Sequence, residues 1–249
     1  MIVLKTSREI AAMREAGRIA GSALQLAGEM VAPGVSTYEI DRETERFIRS
    51  CGATPSFKNY QGYPATACIS VNDQVIHGIP SKHCIIQAGD IVSIDLGAFY
   101  QGYHGDTAAT FAAGEISPDA QRLMDVTKES LMKGIAMAHA GNRIGDISYA
   151  VQSHAEAAGF SVVRSFVGHG VGAQLHEAPE VPNFGTAGRG IRLMAGMTIA
   201  IEPMINMGQC DVRVLQDGWT TVTKDGSLSA HFEHTVAITT DGPVLLTQP

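Results

Sequence analysis

Two aspartates, Asp95 and Asp106, stand eleven residues apart in SIDLGAFYQGYHGDTAATF, inside segments that are otherwise apolar and β-forming. DIVSIDLGAF and YHGDTAATF alternate with the period of strands, and YQG between them has turn chemistry. A simple hairpin symmetric about a point between Tyr100 and Gln101 sets the two carboxylates opposite each other, with Cβ atoms roughly 5 Å apart. Like charges so placed repel, and burial raises the pKa of one or both. A positive charge is therefore expected between them.

More acids join them. QAGDIVSID, ending at Asp95, aligns with MAGMTIAIE, ending at Glu202, at an offset of 107 residues. A fourth carboxylate, Glu233, is embedded in the strand-like run SAHFEHTVAI, and VGHGVG presents His169 between glycines that leave its side chain uncrowded. Two Asp, two Glu and one His suit divalent Mn, Fe, Co or Zn and do not resemble a thiolate-rich structural zinc site. Four carboxylates balance two such ions, whereas one ion would leave uncompensated charge in a low-dielectric pocket. A binuclear centre is the expectation. His77 in HGIP and His176 in HEAP each follow an apolar run, and neutral imidazoles there could hold a peptide group and pass protons. His83, His104, His139, His154, His231 and His234 are expected to be structural, with His231 on the strand face of Glu233.

Composition narrows the classes. The chain has 249 residues, 45% hydrophobic and 17% charged, enough for a substantial core in one large domain or two fused halves. With 18 Lys+Arg against 25 Asp+Glu, a net charge of −7 and no basic run, direct nucleic-acid binding is not expected. MIVLKTSREIAAMREAG reaches a capped helical pattern within a few residues, and no run approaches membrane-spanning length, so a cytoplasmic protein without a membrane partner is expected. Cys51, Cys68, Cys84 and Cys210 show no C-x-x-C spacing and are expected to be free thiols.

The elements that must position these groups are legible in outline. Thr6 with Glu9, and Ser36 with Glu39, have capping-box spacing ahead of helical runs 7–30 and 37–50. Ser117-Pro118 opens a third helix expected to run to about Ala140 and stop at Gly141, and a fourth is expected from about Gly145 to Ala158. Strands fill most of the remainder. The offset of 107 also relates Gly34 to Gly141, Ile40 to Ile147 and Gly52 to Gly159. An α+β fold follows, an antiparallel sheet with helices on one face, built twice about a pseudo-twofold axis. The unit is a single catalytic domain, 1–249, with a pseudo-repeat of roughly 10–111 and 118–240.

HGIP, DLGAFYQGYHGDTAATF, GHGVGAQLHEAPEVPNFG, IEPMI and HFEHTVAI, in this order and spacing, resemble the type I methionine aminopeptidase family over nearly the whole chain. The resemblance implies the pita-bread fold, two pseudosymmetric halves forming a curved antiparallel sheet covered by helices around a dinuclear metal centre. It implies metal ligands at Asp95, Asp106, His169, Glu202 and Glu233, with Asp106 and Glu233 bridging the ions. It places His77 and His176 beside the scissile peptide, and a methionine pocket at Tyr60, Tyr63, Cys68 and Trp219. Leu175 and Phe57 fall on pocket positions where the family varies, often with an aromatic in place of Leu175.

The implied reaction is release of N-terminal methionine from nascent proteins, with small second residues preferred because bulky ones meet the site wall. An ion would hold the free α-amine, and Glu202 would take the proton of the attacking water. A monomer in transient contact with the ribosome is implied. The short N-terminus suggests the minimal, bacterial-like form without a zinc-binding extension. One alternative is an Xaa-Pro aminopeptidase or prolidase of the same fold, whose relatives usually carry an N-terminal domain for which this chain has no residues. Another is a non-catalytic binding module, whose members lose ligands that are all retained here.

Overall fold

Each half of the chain begins with a helix pair whose ends are written locally. The computed structural model describes residues 2–249. Helices α1 (Ser7–Glu29) and α2 (Thr37–Ser50) both start at capping boxes, in which Thr6 and Ser36 accept the amides of Glu9 and Glu39 and those glutamates return to the cap amides. Strands β1 (Thr54–Pro55), β2 (Ala67–Val71) and β3 (Gln74–Ile76) follow, then the long hairpin of β4 (Ile91–Tyr100) and β5 (Tyr103–Ala112). The second half opens with α3 (Pro118–Ala136) and α4 (Ile144–Ala157). It continues through β6 (Ser161–Val162), β7 (Gly168–Gly170), β8 (Glu177–Val181), β9 (Thr198–Ile201) and β10 (Met204–Asn206). Last come β11 (Val212–Val214), β12 (Thr221–Thr223), β13 (Ser229–His231), β14 (Glu233–Thr239) and β15 (Gly242–Leu245).

One antiparallel sheet runs β1-β4-β5-β14-β9-β7-β8, with β2 on β4 and β15 on β14, so strands from both halves meet at the β5–β14 seam. Ile40, Ile48, Ile94 and Leu96 are buried in one core beneath α1 and α2, and Leu123, Leu131, Ile147 and Ile199 in another beneath α3 and α4. Each such side chain contributes about 1.5–3 kcal/mol on burial. Among the described residues no helix is long and apolar enough to cross a membrane.

Two expectations need correction. The third helix ends at Ala136 rather than near Ala140. The amides of Met137 and Ala138 take the carbonyls three residues back, and Asn142 Nδ2 donates to the Met137 carbonyl, which a further helical turn would have used. The hairpin register also differs. Gln101 and Gly102 both take left-handed φ, 50° and 87°, making a two-residue turn that suits strand twist. Tyr100 therefore pairs with Tyr103, Asp95 with Ala108 and Asp106 with Gly97. Asp95 and Asp106 are diagonal neighbours on one face, not directly opposite.

Backbone contacts recur at the offset read from the sequence. Gly34 N–H donates to the Ile86 carbonyl and Gly141 N–H to that of Leu193, at 2.8 and 2.9 Å. The isolated bridges Ser36↔Ile85 and Arg143↔Arg192 are related in the same way.

Helix α1 lies unusually close to the sheet. A Cβ at Gly105 would sit 2.5 Å from Gly17 Cα, and a Cβ at Gly17 would collide with the Leu246 carbonyl. Glycine to alanine inside a helix ordinarily gains about 1 kcal/mol. Here the sign reverses: Gly17→Ala is expected to lose about 1–3 kcal/mol of unfolding free energy as an overpacked contact, read as a lower urea midpoint. An unchanged or raised midpoint would show that the helix can move off the sheet freely.

Candidate metal centre

Strand register builds the site. Ala108 on β5 pairs with Asp95 on β4 and with Glu233 on β14. Directly paired residues of antiparallel strands share a face, and residues two apart along a strand do too. Asp95, Ala108 and Glu233 thus form one row, and Asp106 lies two positions back along β5 on the same face. The pairing of β14 with β9 runs as far as His234↔Ile201, so one step further Glu202 continues the row opposite Glu233. At the other end Cys68 pairs with Asp95. Ala108 in the middle keeps the space between the carboxylates open.

His169 approaches from β7. Its Nε2 is 3.5 Å from Glu202 Oε1 and 3.7 Å from Asp106 Oδ2, while Nδ1 is 2.9 Å from the Gly170 carbonyl. A carbonyl can only accept, so Nδ1 carries the proton and Nε2 turns a lone pair toward the acids, the orientation a metal ligand needs. Ligand atoms of Asp106, His169 and Glu233 all fall within 4.8 Å of one another. The backbone beneath is tied across strands. Thr235 Oγ1 accepts the Asp106 amide and donates to its carbonyl, Thr107 donates to the Glu233 carbonyl, and Asn183 Nδ2 to that of Glu202.

Electrostatics leave the cluster uncompensated. Burial, then repulsion from neighbouring carboxylates, holds Asp95, Glu202 and Glu233 well above the usual range, and burial pushes Asp106 up to about 7. Among the described residues no lysine or arginine pairs with any of the four. Asp95 Oδ1, Asp106 Oδ1 and Glu233 Oε1 are buried without a hydrogen-bond partner. Burying such oxygens is costly unless something pairs with them. Oxygen-rich donors with one imidazole and three orphaned oxygens fit divalent cations.

Every residue named from the sequence as a site residue lines one cavity of about 230 Å³. His176 packs against His169 at 4.0 Å between centroids with the rings tilted by 48°, and its Nδ1 is 2.8 Å from the Tyr60 hydroxyl. His77, at φ 60°, packs edge-on against Phe166 and Trp219. Burial lowers the pKa of His176 and, with the neighbouring His176 adding to it, takes His77 down to about 4, so both rings are neutral at pH 7. Tyr63 meets Trp219 edge-to-face at 5.1 Å and, with Cys68, Leu175 and Phe57, makes an apolar cluster. Gln61 and Ile76 also line the cavity, and nothing in their sequence context marks them. His231 was placed from the sequence only beside Glu233, yet its Nε2 is unpartnered, buried and 3.8 Å from Glu202 Oε2. The expected free thiols are found at all four cysteines.

The profile of metallopeptidase family M24 matches residues 11–240. The chain is 57% identical over 247 residues to a methionine aminopeptidase of Clostridium perfringens, covering 99% of both. It superimposes on a methionine aminopeptidase crystal structure from Thermotoga maritima with TM-score 0.99 at 45% identity, covering 100% of each chain. A Pyrococcus horikoshii prolidase matches more distantly, TM-score 0.81 and 25% identity, with 100% of this chain covering 64% of that one. The architecture is the α+β pita-bread fold, and the site's chemistry is that of a divalent-metal hydrolase.

Raised carboxylate pKa values mean that the metal-free fold binds more protons than the unfolded chain, so its stability falls as pH rises through about 7 and above. Buried histidines act oppositely, but only below their unfolded pKa of about 6.5. Between pH 7 and 8 the carboxylates dominate. The melting temperature of chelated protein should therefore drop across that window, and the gap to Mn²⁺-loaded protein should widen. A gap that is constant or absent would mean that the acids do not share a cation.

Proposed function

Because the chain belongs to metallopeptidase family M24, we propose that it hydrolyses the first peptide bond of newly made proteins and releases N-terminal methionine. The observation that carries this is a buried acidic row beside an apolar pocket in one cavity. The row suits ions and a free amine, and the pocket suits one unbranched apolar side chain. Identity of 57% across essentially both full lengths, against a prolidase match at 25%, favours methionine over Xaa-Pro substrates.

Asp95, Asp106, His169, Glu202 and Glu233 would hold two divalent cations, Mn, Fe, Co or Zn. Four negative charges matched by two dications supports that number. Bound there, such ions supply Lewis acidity and a water acidic enough to deprotonate near neutral pH.

The chain's own groups do the rest. Glu202, which lines the cavity at the end of the acidic row, takes the proton of the attacking water. If the Tyr60 hydroxyl donates to His176 Nδ1, the Nε2 of that ring carries a proton and can donate to the developing oxyanion. His77 assists the departing amide. Tyr63, Cys68, Leu175 and Trp219 exclude water around the methionine side chain, and Tyr60 holds His176 at the pocket edge. A bulky second residue would meet the cavity wall, so small ones are preferred.

The same reading makes the chain one catalytic unit of two related halves, supported by the backbone correspondences at offset 107. It acts as a monomer in the cytoplasm, meeting nascent chains near the ribosome.

Glu202→Ala and Asp106→Ala, purified and supplied with Mn²⁺, should each lower release of methionine from Met-Ala-Ser by about 10²–10⁴-fold or more. Turnover close to wild type in a folded variant would refute these roles, and faster cleavage of Xaa-Pro peptides by wild type would refute the substrate.

A further inference from the structure

His176 is carried by an irregular loop between β7 and β8, with Leu175 of the pocket wall beside it. Little regular structure supports that loop. Gly172 N–H donates to the Gln174 carbonyl, and His104 N–H on β5 to the Gly172 carbonyl. Val171 at its start is bonded to Thr198, and His176 meets Tyr60; a further tie within the loop is the side chain of Glu177, the residue after His176. Its Oε1 accepts the Gln174 amide at 3.1 Å, and its Oε2 is paired with Lys5 Nζ.

That partner is 172 positions away in sequence, ahead of α1. The Lys5 side chain is 4% exposed and that of Glu177 13%, so the pair is largely removed from water. Lys5 also braces a second part of the site. Its amide donates to the Gly196 carbonyl at 2.7 Å, in the turn that enters β9 on the way to Glu202. Packing around the pair is tight enough that a Cβ at Gly172 would collide with the Glu177 carboxylate and, at 2.7 Å, with Lys5 Cε. An ion pair buried this way is a weak source of stability but a strict geometric restraint, because separating it leaves an unpaired charge in the protein.

We propose that Lys5 is a positioning residue. Through Glu177 it holds the Gly172–Glu177 loop, and so keeps His176 packed against His169 and facing the acidic cage. This rests on the aminopeptidase reading above and adds to it a residue that touches neither substrate nor metal. The segment before α1 thereby becomes part of the catalytic apparatus.

The test uses full-length, Mn²⁺-loaded protein and Met-Ala-Ser. Wild type is measured first; if it releases no methionine, the aminopeptidase reading fails and this proposal falls with it. Given active wild type, Lys5→Met should lower kcat by about 10–10²-fold, the cost of a small misplacement, with little change in KM or metal content. Lys5→Arg should recover most of the rate. In a His176→Ala background Lys5→Met should cost almost nothing more, since two changes acting through one side chain are not additive. A purely structural role would reduce rate equally in both backgrounds, and either that result or a wild-type kcat in Lys5→Met overturns the proposal. If Lys5→Met does not fold, Glu177→Gln, which keeps the side-chain shape and one oxygen acceptor but replaces the other oxygen with an NH2 group that cannot accept from Lys5 or the Gln174 amide, is read in the same two backgrounds with the same two outcomes.

Discussion

Mutual repulsion among four carboxylates on one buried sheet face is the constraint around which the rest of the molecule is arranged. Such groups ordinarily avoid burial, or neutralise, because a charge removed from water must be paired or protonated. Here the strand register brings them together on one face across β4, β5, β14 and the end of β9, and among the described residues no lysine or arginine is paired with them. The buried Lys5 is paired with Glu177 instead, and the imidazoles beside the acids, His169 and His231, both have a pKa drawn down to about 3 by burial, with neighbouring histidines adding to it. The repulsion is left for an external ion to cancel, which turns a folding cost into a binding drive.

Holding that arrangement requires a stiff frame. Net stabilities of folded domains are about 5–15 kcal/mol, so a cluster of this kind must be offset by structure that cannot relax around it. Threonine bonds across the β5–β14 seam serve that purpose, fixing the backbone under Asp106 and Glu233 from both sides. Behind the sheet, α1 lies so close that glycines meet at Gly17 and Gly105. In front, the neutral imidazoles of His77 and His176 add hydrogen-bonding capacity without adding charge that would compete with a bound ion.

Local rules explain what could be read from the sequence. Capping boxes at Thr6 and Ser36 marked two helix starts because the whole signal lies within four residues. The acidic set was legible because Asp95 and Glu202 are related by one offset and each ends an apolar run. What escaped depended on geometry that spacing does not encode. Moving the turn onto Gln101 and Gly102 shifted the register by two residues, which kept both aspartates on one face but made them diagonal. The bond of Tyr60 to His176 and the pair of Lys5 with Glu177 join residues 116 and 172 positions apart. No local pattern predicts them, since they exist only once the sheet has closed.

The seam has a consequence for how the site can respond. Asp95 and Asp106 come from the first half, and His169, Glu202 and Glu233 from the second, so a cation shared by Asp106 and Glu233 would bind both halves at once. Separation of the halves would part these ligands, and bound ions would oppose it by an amount set by their concentration relative to Kd. A cation held there would reinforce the β5–β14 seam that already joins the halves. Residues that brace the halves against each other, even far from the cavity, therefore act on the same free energy as the ligands themselves.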